Sequence, residues 1–195
     1  QGSVTVTAGE FIKGVEVNQD EKFNILSTDY TLLTFWKIPY IESNTRIIFR
    51  ATAQYSDNPL SSLSQFSLGG PNRTRAYPID LFSADTGIYS GLEWVFNSPD
   101  IFDFGLFGDV RFGKITQPFF FLDAAYGINK SLDLTSDDAT ASLLGAGLGL
   151  KFAYLNDFKG NLQFAFPIKH KFENSDLVDI DDGMKVVFDF QYSFL

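Results

Sequence analysis

The chain has 195 residues, 45% of them hydrophobic and 16% aromatic, with 22 Phe and a net charge of −9. So many aromatic side chains exclude intrinsic disorder, and an acidic balance without a cluster of Lys and Arg excludes nucleic acid as a partner. The absence of Cys and the single His, His170, remove disulfides, thiolate chemistry and the usual general base, and no run reaches the roughly 18 apolar residues of a spanning helix.

The start alternates at Val4-Thr5-Val6-Thr7, without the basic and apolar run of a signal peptide, and predicts a weak strand over 4–15. Over 25–38, Leu26, Tyr30, Leu32, Trp36 and Ile38 share one parity and Ser27, Asp29 and Thr31 the other. Over 46–55, Ile47, Phe49, Ala51, Ala53 and Tyr55 oppose Arg50, Thr52 and Gln54. The period then stops for about thirty residues between Ser56 and Gly87, a length that is commonly functional. Within this connection Gly69, Gly70 and Pro71, with Pro78 beyond, predict a tightly folded tip around an Arg and a Tyr.

Alternation resumes with Leu92, Trp94 and Phe96 against Gly91 and Glu93, then with Phe120, Leu122, Ala124 and Tyr126 against Asp123, Ala125 and Gly127. Leu144, Ala146, Leu148, Leu150 and Phe152 oppose Gly145, Gly147, Gly149 and Lys151. That glycine run is not a phosphate loop, because no strand-to-helix transition follows it; it clears space beside a packed loop or bends the strand. Leu162, Phe164, Phe166 and Ile168 oppose Asn161 and Gln163, and Met184, Val186, Phe188, Phe190, Tyr192 and Phe194 oppose Lys185, Asp189, Gln191 and Ser193. Period two throughout predicts an all-β chain of about eight strands with one long loop between the third and the fourth.

Strands of roughly 10 to 14 residues exceed those of soluble sheets and suit a membrane wall. One face is large and apolar, the other small and polar, and aromatics collect near strand ends: Tyr30, Trp36, Tyr55, Tyr89, Trp94, Tyr126, Tyr154 and Tyr192. A lipid-facing band, interfacial girdles and a hydrated lumen account for all three features, so residues 1–195 are read as a single transmembrane antiparallel β-barrel. Connections at 39–44, 97–117 (with Gly105 and Gly108 as punctuation) and 156–160 are placed at one end, those at 129–139 and 173–183 at the other. Asp137 and Asp138, and the run Asp179, Asp181 and Asp182, read as solvated loop charge rather than as a Ca²⁺ site, so neither metal nor cofactor is expected. His170 reads as a lumen or interface polar group, and with no Ser-rich element beside it no catalytic residue is expected.

The stretch 54–77, ending Thr74-Arg75-Ala76-Tyr77, resembles the signature loop of two-partner secretion transporters of the haemolysin-activator type, which share a superfamily of outer-membrane insertion and secretion barrels with BamA. Thr74 and Ala76 stand where that family's tetrad has an aliphatic residue and a glycine, so a left-handed backbone at 76 would be strained. Gly91-Leu92-Glu93 and Phe119 to Asp123 resemble the family's acidic elements on the next two strands, and Phe188, Phe190, Tyr192, Phe194 and Leu195 its C-terminal insertion signal. The resemblance covers the family's last eight strands, without its POTRA domain. It implies that the loop folds back into the barrel and that Arg75, with Tyr77 beside it, meets Glu93 and Asp123, which the alternation puts on the lumen parity.

A closed eight-strand ring is filled by its own side chains. Three arrangements of the long loop therefore stay open: a fragment of a sixteen-strand barrel, a larger ring built with a second copy, or a loop that caps one mouth. The resemblance implies protein translocation or membrane insertion in the bacterial outer membrane, with the lipid bilayer and the barrel-assembly machinery as partners. The rival reading is a structural or passive-pore barrel.

Overall fold

The computed structural model describes residues 2–10, 22–37, 44–79, 81–97, 103–107, 110–132, 136–154, 158–175 and 183–193. In chain order the elements are β1 (Gly2–Glu10), β2 (Lys22–Lys37), β3 (Asn44–Ser56), β4 (Phe66–Ser67), β5 (Ser83–Ala84), β6 (Thr86–Phe96), β7 (Gly105–Phe107), β8 (Val110–Arg111), the single turn α1 (Phe112–Ile115), β9 (Thr116–Asn129), β10 (Ala139–Tyr154), β11 (Phe158–Glu173) and β12 (Lys185–Tyr192).

The alternating segments form one eight-stranded antiparallel sheet in the order β1-β2-β3-β6-β9-β10-β11-β12, each long strand paired with the next in sequence. The protein is therefore all-β, with the long loop between the third and fourth strands of the sheet. The 97–117 connection is more than punctuation, since it holds the small β7–β8 hairpin and α1. No β1–β12 ladder closes the sheet among the described residues, and no helix there is long and apolar enough to cross a membrane. The predicted acidic run Asp179, Asp181 and Asp182, and Gly108, Phe194 and Leu195, lie outside the described residues.

Alternation gives the sheet two unlike faces, because successive side chains point to opposite sides of a strand. The outer face exposes Leu32, Trp36, Leu92, Phe120, Leu148 and Phe188. Near the end that carries the 39–44 and 97–117 connections its aromatics pack on one another: Trp36 on Trp94 at 6.0 Å, Trp94 on Phe96 at 4.6 Å and Phe96 edge-on to Phe120 at 5.8 Å. The opposite face carries the long loop, and it is less polar than the sequence suggests. Val95, Phe119, Phe121 and Leu143 are buried there, in one apolar cluster that continues to Phe66, Leu68 and Phe82 of the loop.

Tyr89 corrects the sequence reading most clearly. It belongs to no interfacial girdle: on the parity of Glu93 it is buried on the loop face, and its hydroxyl donates to Asp123 Oδ1 at 3.1 Å.

The glycines of β10 make room on this face. Gly147 and Gly149 pair in register with Phe121 and Phe119 of β9. A methyl group at either would sit 2.3 or 2.4 Å from its partner's ring, so each ring lies over a glycine.

Candidate functional site

The loop, residues 57–85, is held at its base, at its tip and along its side. At the base, buried Asp85 accepts from the backbone N–H groups of Leu60 (2.8 Å) and Lys130 (2.7 Å) and from Gln65 Nε2 (3.0 Å). The loop's own short ladder, β4 with β5, then carries the chain away from the strand ends.

The tip, 69–78, is a closed turn. Gly70 N donates to Tyr77 O at 2.9 Å and Tyr77 N to Thr74 O at 3.0 Å, while the Thr74 hydroxyl bonds to Leu68 O. Gly70 takes φ +107°, a left-handed conformation that favours glycine. At Gly69 a Cβ would fall 1.9 Å from Pro78 O, so only glycine lets the two backbones meet. Pro71 lies exposed at the turn's outer end. Ala76, in the place of the resembled glycine, needs no positive φ; among the described residues Asn174 is the only non-glycine that has one. Its methyl group lies against Gly145, where a second methyl would come within 2.8 Å.

From this turn Arg75 reaches the middle of the wall. Its Nε and Nη2 donate to the two oxygens of Asp123 at 2.7 and 2.9 Å, a forked pair that fixes the guanidinium plane. Its Nη1 donates to Glu93 Oε1 and to Gln163 Oε1, both at 3.2 Å, and its carbon lies 3.7 Å from the centre of the Phe121 ring. The group is buried. Burial works against its charge, but the hydrogen bonds and charge of Asp123 and the charge of Glu93 outweigh it and hold the guanidinium above its ordinary pKa.

Glu93 is shared more widely than its sequence position suggests. Besides Arg75 it accepts from Arg50 at 3.0 Å and from Lys151 at 2.5 Å. One carboxylate on β6 thus holds three cations, from β3, the loop and β10, and the net-acidic chain collects positive charge on this face. Below it a cavity of about 450 Å³ is lined in part by Arg46, Lys114, Lys151 and Lys159.

Tyr77 performs a different task from Arg75. Its hydroxyl lies 3.0 Å from both Leu144 O and Lys169 O, on strands β10 and β11. There the ladder shifts from Leu144↔Lys169 to Gly145↔Pro167, leaving Ile168 unopposed. The tyrosine fills this bulge with its one proton between two carbonyls, and its ring meets His170 edge-on at 6.3 Å. Tyr77→Phe is expected to cost about 1–2 kcal/mol, because it leaves those carbonyls without their donor; a thermal midpoint equal to wild type would contradict this.

The structure thus brings Arg75, Tyr77, Glu93 and Asp123 to one region, with Gly69, Gly70 and Pro71 forming the turn that presents them. Phe188, Phe190 and Tyr192 are exposed on the outer face of β12, about half or more of each side chain's surface being open. Sequence reasoning missed Gln163, Lys151 and Arg50 as members of the cluster, although parity had placed all three on the right face. It also missed Asp85, which lies where no period runs. Among the described residues no group of three or more acidic or His side chains could hold a metal ion.

Fold and site together define an antiparallel wall with a long loop fastened to one face by a buried Arg–carboxylate cluster. No family model, curated protein or solved structure matches the chain.

Proposed function

We propose that the chain is an outer-membrane β-barrel wall of the insertion and secretion type, acting in protein translocation or membrane insertion, with the Arg75 cluster as the latch that holds the loop in the lumen. The observation that carries this reading is the division of the sheet. Large apolar side chains are exposed on one face, and charge and hydrogen bonding are concentrated on the other. A water-soluble sheet would bury the first face, whereas lipid covers it at no cost. On β2 the exposed stretch from Leu26 to Trp36 spans ten residue steps, which at ~3.3 Å each and a tilt of about 40° corresponds to a band of about 25 Å, the height of a barrel's lipid-facing girdle. In this reading β12, with Phe188, Phe190 and Tyr192 outward, is the segment that the barrel-assembly machinery recognises, and the bilayer is the chain's principal partner.

The test is reconstitution. The protein, folded from denaturant in the presence of lipid vesicles, is expected to float with them, to resist carbonate extraction and to accelerate insertion of an unfolded small outer-membrane barrel several-fold over empty vesicles. Failure to float would end the membrane reading. Flotation without acceleration, together with negligible planar-bilayer conductance, would assign the structural barrel instead, for the loop already occupies the inner face.

A further inference from the structure

Among the described residues β1 and β12 stand at the two ends of the strand order, and their registers suit them to meet. The ladders fix how far apart they stand. Lys185, the first residue of β12, is level with Ala165, and in turn with Gly147, Phe121, Glu93, Ile48 and finally Leu33 of β2. Strand β1 pairs higher on β2, with Gly9 opposite Phe23 and Gly2 opposite Tyr30. Laying Lys185 beside Gly9 therefore requires a stagger from position 33 to position 23 of β2, ten residues over eight strands. With ~3.3 Å per residue and ~4.8 Å between strands, that stagger corresponds to a strand tilt of about 40°, within the range at which sheets close into barrels.

At this stagger all of β12, Lys185–Tyr192, runs alongside positions 9 to 2, and the alternation agrees as well. Phe188 and Phe190 fall opposite positions Val6 and Val4, and Asp189 and Gln191 opposite Thr5 and Ser3. A shift of one residue would put apolar against polar throughout, and a shift of two would leave part of β12 without a partner.

One chain closing on itself would make a ring with a backbone radius of about 8 Å, whose interior is filled by inward side chains alone. Here that face already holds Tyr89, Phe119, Phe121 and Leu143, and a 29-residue loop that reaches mid-strand rather than capping a mouth. Near both edges, moreover, residues on the loop-facing parity remain open: Leu33 and Phe35 on β2 are 50% and 75% exposed, and Asp189 and Gln191 on β12 are exposed. Two chains with the same stagger per strand keep the same tilt and double the radius to about 16 Å.

The geometry points to a second copy of this chain as the partner of both edges: β1 of each copy pairs with β12 of the other in the register 185↔9 to 192↔2, closing a two-fold sixteen-strand ring around two loops. Two-fold closure of this kind leaves no unpaired edge. The inference rests on reading the sheet as a barrel wall.

The chain has no Cys, so introduced thiols report without background. Chains carrying Ser3→Cys and chains carrying Gln191→Cys, folded together in detergent and oxidised, are expected to give a covalent species of twice 21.8 kDa, in up to roughly half of the chains because pairing is random. Replacing the second variant with Asp189→Cys, two residues out of register, is expected to lower the yield several-fold. In the double variant Ser3→Cys/Gln191→Cys, a disulfide formed within one chain would overturn the proposal in favour of a closed eight-strand barrel. No disulfide in the mixture, or native mass spectrometry showing single copies only, would also overturn it. Vesicle flotation of the same samples separates the two failures: a protein that floats but does not cross-link keeps the membrane reading and loses the ring.

Discussion

Arg75→Glu is expected to abolish the folded form. On the proposed reading as an insertion barrel, the variant in detergent should lose the heat-dependent mobility shift of a folded barrel and fail to accelerate client insertion. Among the described residues Arg75 is the cation paired with the buried Asp123 carboxylate, which it grips through two nitrogens. Removing one member of a buried pair leaves the other uncompensated, at a cost of about 3–5 kcal/mol, and reversing the charge adds a third carboxylate to the same pocket. The native stability of a domain is only about 5–15 kcal/mol, so a loss of this size decides folding.

Milder substitutions separate charge from geometry. Arg75→Lys keeps the positive charge but cannot serve both Asp123 oxygens and Glu93 in one plane, so an intermediate loss is expected. Arg75→Met combined with Asp123→Leu should be less destabilised than the sum of the single variants, since it removes both members of the pair and leaves no buried charge there. A strictly additive double variant, or a fully folded and active Arg75→Glu protein, would show that the cluster does not fasten the loop.

Much of this was legible before the structure, and for one reason. A strand's side chains alternate, so a run of nine or more residues with one apolar parity announces both its conformation and its two faces. Arg50, Glu93, Asp123, Lys151 and Gln163 share the polar parity of their strands, and all are members of the cluster. What parity could not give is how far along the wall each residue sits, because that depends on the four successive registers from β3 to β11.

The errors have a physical source too. A tyrosine near a strand end suits a headgroup girdle, yet the parity that Tyr89 shares with Glu93 puts it on the loop face. The loop face was expected to be small and polar. It instead carries Phe119 and Phe121, which pack on each other at 6.1 Å and lie beneath the cations of Lys151 and of the loop's Arg75. Without knowing that the loop lies on the sheet, those phenylalanines have no evident cause, and the glycines beneath them have none either.

Asp85→Ala should release the loop while leaving the wall intact. Its carboxylate is fully buried and accepts three hydrogen bonds, two from the first part of the loop, at Leu60 and Gln65, and one from Lys130 just beyond β9. Its own N–H donates to Ile128 O at 2.9 Å. One residue therefore ties the beginning of the loop, its end and the rim of the wall. Alanine leaves two backbone donors and one amide without partners, a loss of about 2–4 kcal/mol confined to the loop's base. The base also sets the effective concentration of Arg75 at its carboxylates, because a loop pinned at both ends searches a smaller volume than one anchored only at Ser56 and Thr86. Limited trypsin digestion reads this directly. In the wild type Arg75 is buried and Arg73 half-buried, the latter over the Phe66 ring at 3.8 Å. In Asp85→Ala, cleavage after Arg73 and Arg75 is expected to accelerate at least tenfold, with the strands on either side still resistant. Asp85→Asn keeps one acceptor oxygen and should fall between the two. Unchanged cleavage in Asp85→Ala would mean that the tip alone holds the loop, and the whole stabilising role would then pass to Arg75 and Tyr77.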